Sequence, residues 1–276
     1  MLTEIIAIYA ITDDLLRAIG HHEDGRVRMS DAEVITTALV ASRFFGGNHH
    51  ATQQYLKEHG LMPKMLDKSR FNRRLHRLFL PLLDLFDYLG SILKEINPTT
   101  EYLLDSFPVS ICDNIRIPRA RLVRSEDYRG YIASKRRFFY GIRVQLLATS
   151  TGIPVEFAFL PGEANDVRGL NALPLCLPEN SEIYADAAYT DYQAEDDLDE
   201  TESIVLKVAR KRNSTRPDSP ASAYIKQTTR HAIETVFSQI TLRFPKSIHA
   251  VTLDGFLLKI TAFIVARTLE SAFIQS

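Results

Sequence analysis

The sequence predicts an α/β fold in two parts: an all-helical N-terminal region over residues 1–97, then a five-stranded sheet with covering helices over residues 98–276. Three observations predict it. Apolar residues recur at helical spacing up to about residue 97, five short β-branched or aromatic runs follow, and two long helical patterns close the chain.

The first helix carries Ile5, Ile8, Ile11, Leu15 and Ile19 on one face, with Thr3 placed to cap it and Gly20 to stop it. "SDAEVITTALVASRFFGG" opens on a capping box, Ser30 with Glu33, and ends at Gly46-Gly47. Further helices are predicted in "HATQQYLKEHG" and "KSRFNRRLHRLFLPLLDLFDYLGSIL". Pro81 breaks the second of these, because its ring and missing N–H disrupt a helix interior.

Strands are predicted in "EYLLDSFPV", "FFYGIRVQLLAT", "IPVEFAFLPG", "SEIYADAAY" and "SIVLKVA", each bounded by Gly, Pro, Asn or Ser. Between the third and fourth, "NDVRGLNALPLCLP" reads as a helix of about two turns capped by Asp166. A helix or loop separates the fourth and fifth, and "RKRNSTRPDSPAS" is a loop. "TRHAIETVFSQITLRF" and "DGFLLKITAFIVARTLESAF" are the closing helices.

Hydrophobic residues form 45% of the 276, enough for a packed core, so disorder is not the default. No run reaches the roughly 18 apolar residues of a membrane span, and acids stand where a signal peptide would be basic, so a cytoplasmic protein is expected. Cys112 and Cys176 have no Cys or His at ligand spacing, which excludes a disulfide framework or zinc site and leaves them as small buried residues.

A net charge of -1 argues against a uniformly basic nucleic-acid binder, but the charge is unevenly spread. Arg116, Arg119, Arg121, Arg124, Arg129, Lys135, Arg136, Arg137 and Arg143 fall in one stretch, interleaved with Tyr128, Tyr131, Phe138, Phe139 and Tyr140. Acids gather instead in "YQAEDDLDETE". The basic and aromatic stretch suits a surface that tracks phosphates and stacks an unpaired base; a solvated arginine-rich loop beside an aromatic strand is the other reading.

Asp105 follows the apolar run Tyr-Leu-Leu, and Asp186 follows Ile-Tyr-Ala. A carboxylate at the end of a buried strand is costly unless it is paired or holds a metal, and α/β folds place their sites at such strand ends. Each acid taken alone also suits a turn or a helix cap. A third candidate, Glu234, stands at the edge of the stripe Ile233, Val236, Phe237 and Ile240, with Arg230 one turn before it. That pair is either surface decoration or a carboxylate that reaches across a strand end. Three converging carboxylates repel unless cations balance them, and two Mg2+ or Mn2+ ions suit phosphodiester hydrolysis or transfer.

"YLLDSFPV", "IYADAAYTD" and "RHAIETVFSQI", with 80 residues between the first two acids and 47 between the last two, resemble the Asp-Asp-Glu transposases of bacterial insertion sequences. "SDAEVITTALVASRFFGGNHH" and "KSRFNRRLHRL" are similar to the N-terminal part of the insertion sequence 982 group, so the likeness covers nearly the whole chain. The resemblance implies a ribonuclease-H-like core with a mixed five-stranded sheet, in which Asp105, Asp186 and Glu234 hold two divalent ions. It also implies DNA as partner, both the transposon's terminal inverted repeats and the target, and at least a homodimer on paired ends. A related signature places Tyr, Arg, Glu and Lys around the last acid. Arg230 and Glu234 match it, whereas Gln227 and Thr241 stand at its Tyr and Lys positions.

The N-terminal helices suit a helix-turn-helix that reads terminal repeats, with Arg73 and Arg74 of the basic helix meeting phosphates, or a plain scaffold or dimerisation module. His21-His22 and His49-His50 read as surface histidines in polar loops. Asp113, Asp166 and Asp191 are rival acids, none expected to bind the metal directly: Asp166 is placed to cap the helix after the third strand, and Asp191 is a turn residue or a support of Asp186. Two other functions fit the same residues: a metal-dependent nuclease that never rejoins strands, and an inactive relic that only binds ends.

Overall fold

A computed structural model gives the fold; it describes residues 1–112, 117, 120–132, 136–211, 213–245 and 248–274, with the side chains of Thr229, Arg230, Ala232 and Ile274 excluded. The chain forms two compact units, Met1–Leu89 with Ile240–Ser276, and Gly90–Gln239.

The first unit is helical: α1 (Leu2–Ala18), α2 (Asp31–Phe44), α3 (His49–Glu58), α4 (Lys68–Arg77), the start of α5 (Phe79–Glu95), and α9 (Leu253–Leu269) from the far end of the chain. At its centre α2 is buried along nearly its whole length and touches α1, α3, α4 and α9. The capping box forms as expected, Ser30 N–H donating to Glu33 at 2.6 Å and Glu33 N–H to Ser30 Oγ at 3.1 Å. Helix α9 is buried along most of its length, so it is stable only inside a core.

Two local expectations are corrected. Met1, not Thr3, stands at the cap position of α1, and its ammonium pairs with Glu4 at 3.0 Å. The break in the basic helix falls at Leu78, and Pro81 sits in the first turn of α5, where a missing N–H costs no hydrogen bond.

In the second unit a single sheet holds six strands, β1 (Glu101–Cys112), β2 (Arg129–Ile132), β3 (Arg137–Thr149), β4 (Pro154–Pro161), β5 (Glu182–Ala185) and β6 (Val205–Val208). The expected count was five. The additional strand, β2, lies within the arginine-rich stretch and is held by antiparallel pairing of Arg129–Ile132 with the first residues of β3. Along the rest of β3, Ile142 to Ala148 pair with β4, so β2 and β4 follow one another beside the same strand. Across the sheet the order continues β3-β1-β5-β6, with β1 antiparallel to β3 but parallel to β5, and β5 parallel to β6.

Three helices complete this unit: α6 (Asp166–Leu170), α7 (Tyr192–Glu202) and α8 (Pro220–Thr241). Helix α6 is shorter than expected, and its cap is Asn165, whose side chain accepts from Arg168 N–H at 2.8 Å, not Asp166. The acidic run forms α7, capped by Asp191 and anchored where Glu195 is buried against Arg210 at 2.7 Å. Helix α8 begins inside the stretch expected to be a loop, and its stripe is buried as the spacing predicts: Ile233, Val236 and Ile240 fully, Phe237 in part. The cysteines depart from expectation, Cys112 half-buried and Cys176 exposed. Among the described residues no helix is long and apolar enough to cross a membrane.

Candidate active site

Strands β1 and β5 are adjacent and parallel, with Tyr102 opposite Ile183 and Leu103 opposite Tyr184. The pairing ends there; Asp105 lies two residues beyond Leu103 within β1, and Asp186 lies two residues beyond Tyr184, directly after β5 ends. Asp186 keeps extended backbone, with φ -83° and ψ 175°, so the strand geometry runs through it. Because side chains alternate between faces, Leu103, Asp105 and Phe107 share one face of β1, and Tyr184 and Asp186 continue it on β5.

Helix α8 covers that face. Ile233 packs into a cluster with Leu103, Ala148 and Tyr184, and Phe237 lies against it. Phe237 also meets Phe107 with ring centroids 5.0 Å apart, so the turn from Ile233 to Phe237 passes the level of Asp105. Glu234 follows Ile233 on the flank of this turn. Its side chain is 62% exposed, and its Oε2 is 3.8 Å from His231 Nδ1.

Local bonds aim Asp105, which lies within β1 rather than at its end as the sequence suggests, and Asp186, which follows β5. Asp105 Oδ1 accepts from the N–H of Ser106 at 2.7 Å, and Asp186 Oδ1 accepts from the N–H of Ala188 at 2.7 Å, opening a short 3-10 turn. On the opposite face of β1, Ser106 Oγ donates to Asp166 at 2.8 Å, and Arg143 donates to Ser106 Oγ at 3.0 Å. Asp166 therefore serves the strand rather than the helix cap.

Tyr189, fully buried, accepts from Gln145 Nε2 at 2.7 Å. Burial holds its phenol well above the ordinary value, and the charges of Asp105, Asp166 and Asp186 push in the same direction. Three carboxylates thus act on one hydroxyl. The sequence alone assigns no role to Ser106, Tyr189 or Gln145. Tyr189 lies within the motif "IYADAAYTD", three residues after Asp186, which is the one signal that pointed to it.

Asp105 and Asp186 offer hard oxygen donors, a donor set that fits a divalent cation. Glu234 is not gathered onto them: among the described residues no group of three or more His, Cys, Asp or Glu side chains is placed to hold a metal.

The arginines expected to meet DNA divide into several groups. Arg121, Arg124, Arg136 and Arg137 are exposed, and Arg129 is exposed while donating to Glu126 at 2.8 Å. Arg136 and Arg137 lead into β3 beside an exposed aromatic pair, Tyr131 and Phe138, with centroids 4.9 Å apart. Arg73 is exposed on α4. Arg74 is committed inside the first unit, donating to the Met29 carbonyl and Glu23, both at 2.7 Å, and pairing with Asp31. Arg119 and Lys135 lie outside the described residues, as do Arg116, Asp113 and the side chain of Arg230.

The second unit is thus an α/β domain, a mixed sheet with helices, that carries Asp105 within β1, Asp186 directly after β5 and Glu234 on α8. The family described as "Transposase DDE domain" matches residues 96–246, more than half of the chain, and the chain belongs to that family of transposases. A cryo-EM structure of the piggyBac transposase synaptic complex with hairpin DNA is similar over 96% of this chain and 71% of that chain, at 13% identity and a TM-score of 0.45. No curated protein matches the chain.

Proposed function

We propose that the protein is a DNA transposase of the insertion sequence 982 group, acting in the bacterial cytoplasm on nucleoid DNA, with a ribonuclease-H-like core and the acids Asp105, Asp186 and Glu234 as its catalytic set. The observation that supports this reading is the parallel β1–β5 pairing under α8, two residues beyond which stand Asp105 and Asp186, both near enough to Tyr189 to act on it, inside the segment matched by the transposase family. The sheet order supports the core: three antiparallel strands, then two that run parallel to the first.

Mg2+ or Mn2+ ions held by these oxygen donors would balance the carboxylates and activate oxygen nucleophiles. The chain's own part is positioning. Ser106 N–H and Ala188 N–H orient the carboxylates of Asp105 and Asp186, which with Glu234 of α8 would hold the ions. Water attacks the phosphodiester at the transposon end, and the bond to the 3' oxygen breaks to leave a 3'-hydroxyl. That hydroxyl then attacks a target phosphodiester, displacing its own 3' oxygen. Neither step needs a protein nucleophile.

The DNA contacts we propose are Arg121, Arg124, Arg129, Arg136 and Arg137, with Arg119, Lys135 and Arg230, and Arg73 on α4. Exposure of the described ones supports this, and the Tyr131–Phe138 pair beside them offers a stacking surface. Two copies on paired ends complete the reaction.

Asp105→Asn, Asp186→Asn and Glu234→Gln should each abolish Mg2+-dependent cleavage of end DNA while end binding persists. Robust cleavage by any one of them removes that residue from the set. Pre-cut ends incubated with target DNA separate the transposase from a nuclease, because only a transposase joins the strands.

A further inference from the structure

Between α2 and α3 the sequence reads Gly-Gly-Asn-His-His. Gly46 and Gly47 hold left-handed backbone, φ +55° and +77°, and a Cβ on Gly47 would stand 3.2 Å from the ring of Phe263 on α9. Only glycine lets the chain turn this closely. Asn48 then caps α3, its Oδ1 accepting from Ala51 N–H at 3.1 Å, so His49 and His50 occupy the first helical positions.

These residues form one wall of a cavity of about 410 Å3 that lies wholly within the first unit. Lys68 and Asn72 of α4 form a second wall, and Lys259 of α9 with His249 a third. Two ammonium groups and three imidazoles line it, and no carboxylate is among its described lining residues. Lys259 is half-buried, donates to the carbonyl of His249, and pairs with no carboxylate among the described residues. Its pKa is lowered, and burial is the cause. His49 packs edge-on against Phe71 at 5.6 Å and is pushed down to about 4 by burial, with the charges of Lys259 and His76 acting the same way and a hydrogen bond with Asn72 opposing. Ammonium and imidazole groups gathered beside the positive end of a helix, with no counter-ion among the described lining residues, are stabilised by an arriving anion.

We propose that this cavity binds a phosphate oxyanion, with Lys259 and Lys68 as its charge partners and the N-terminus of α3 and its histidines as further donors. The site goes beyond the transposase reading, since none of its residues belongs to the acidic site. The phosphate could be that of a DNA backbone or free inorganic phosphate; the chemistry of recognition is the same.

Inorganic phosphate titrated into the full-length protein, with the histidine side chains followed by NMR, tests it. His49, His50 and His249 should shift saturably, and chloride at matched ionic strength should not move them. Lys259→Gln and Lys68→Gln should each weaken the apparent affinity about tenfold, the expected loss of one charge-assisted contact. Lys68 is exposed, so its variant serves even if Lys259→Gln fails to fold. A short DNA duplex that displaces phosphate identifies the backbone as the source, and a duplex that binds without displacing it identifies free phosphate. Absence of any shift, an equal shift in chloride, or wild-type affinity in folded variants overturns the proposal.

Discussion

The hydroxyl of Ser106 donates to the carboxylate of Asp166 at 2.8 Å and accepts from Arg143 at 3.0 Å. The residue after Asp105 is thereby tied to the start of α6 and to the neighbouring strand. Ser106→Ala leaves Asp166 with the longer Arg143 contact at 3.4 Å, and the lost bonds should cost about 1–2 kcal/mol. If Ser106 positions Asp105, cleavage at saturating DNA should fall by more than the stability loss explains, and Ser106→Thr should restore both. Urea midpoints beside single-turnover cleavage rates check this, and a stability loss with unchanged cleavage would make Ser106 merely structural.

Gly169 lies on α6 where an added Cβ would meet Gln145 Oε1 at 2.2 Å. Gln145 is fully buried and cannot swing clear without releasing Tyr189. Gly169→Ala should therefore destabilise the second unit by about 1–3 kcal/mol through overpacking. The altered environment of Tyr189 should register in its near-ultraviolet signal, whereas an unchanged spectrum and midpoint would mean that the site has room to spare.

Lys94 Nζ and Glu156 Oε1 pair at 2.8 Å with both residues buried, and Glu156 also accepts from Leu175 N–H at 3.0 Å. Removing one partner strands the other charge, so Lys94→Met should cost about 3–5 kcal/mol, while Lys94→Met with Glu156→Leu should recover most of it. A double-mutant cycle by chemical denaturation measures the difference.

His49 carries a pH prediction. Its pKa is about 4 in the folded protein, pushed down chiefly by burial, against an ordinary value of about 6.5 in the unfolded chain. Between these values the unfolded state binds the extra proton, so stability rises with pH. The contribution is complete above about pH 6.5 and is lost as the pH falls towards 4. His49→Gln should flatten the dependence of the denaturation midpoint over that window, and an unaltered slope would contradict the assignment.

Local features were readable from the sequence because their partners lie within a turn. The capping box of Ser30 and Glu33 and the buried stripe of α8 formed where the spacing placed them. Strand β2 was not readable, because Arg129, Gly130 and Tyr131 have no local reason to extend and are held by Phe138, Phe139 and Tyr140 of β3. The acidic helix α7 was equally obscure, since its anchor, Glu195 with Arg210, bridges 15 positions of sequence. At the site, a carboxylate after an apolar run flagged Asp105 and Asp186, but only the fold reveals that both act on Tyr189. Tyr189 and Gln145 needed the fold, because a phenol's role depends on what it meets 44 residues away.

The packing of α9 on α2 has a consequence for synthesis. All of the sheet-bearing unit emerges from the ribosome between these two helices, so the nascent chain completes that unit while α2 still lacks a covering neighbour. Until α9 arrives, its binding surface on α2 is open to solvent and to other chains. We therefore expect released chains truncated before Leu253 to resist protease across residues 90–239 while the N-terminal helices are cleaved; equal protection of both would show that the N-terminal helices close without α9.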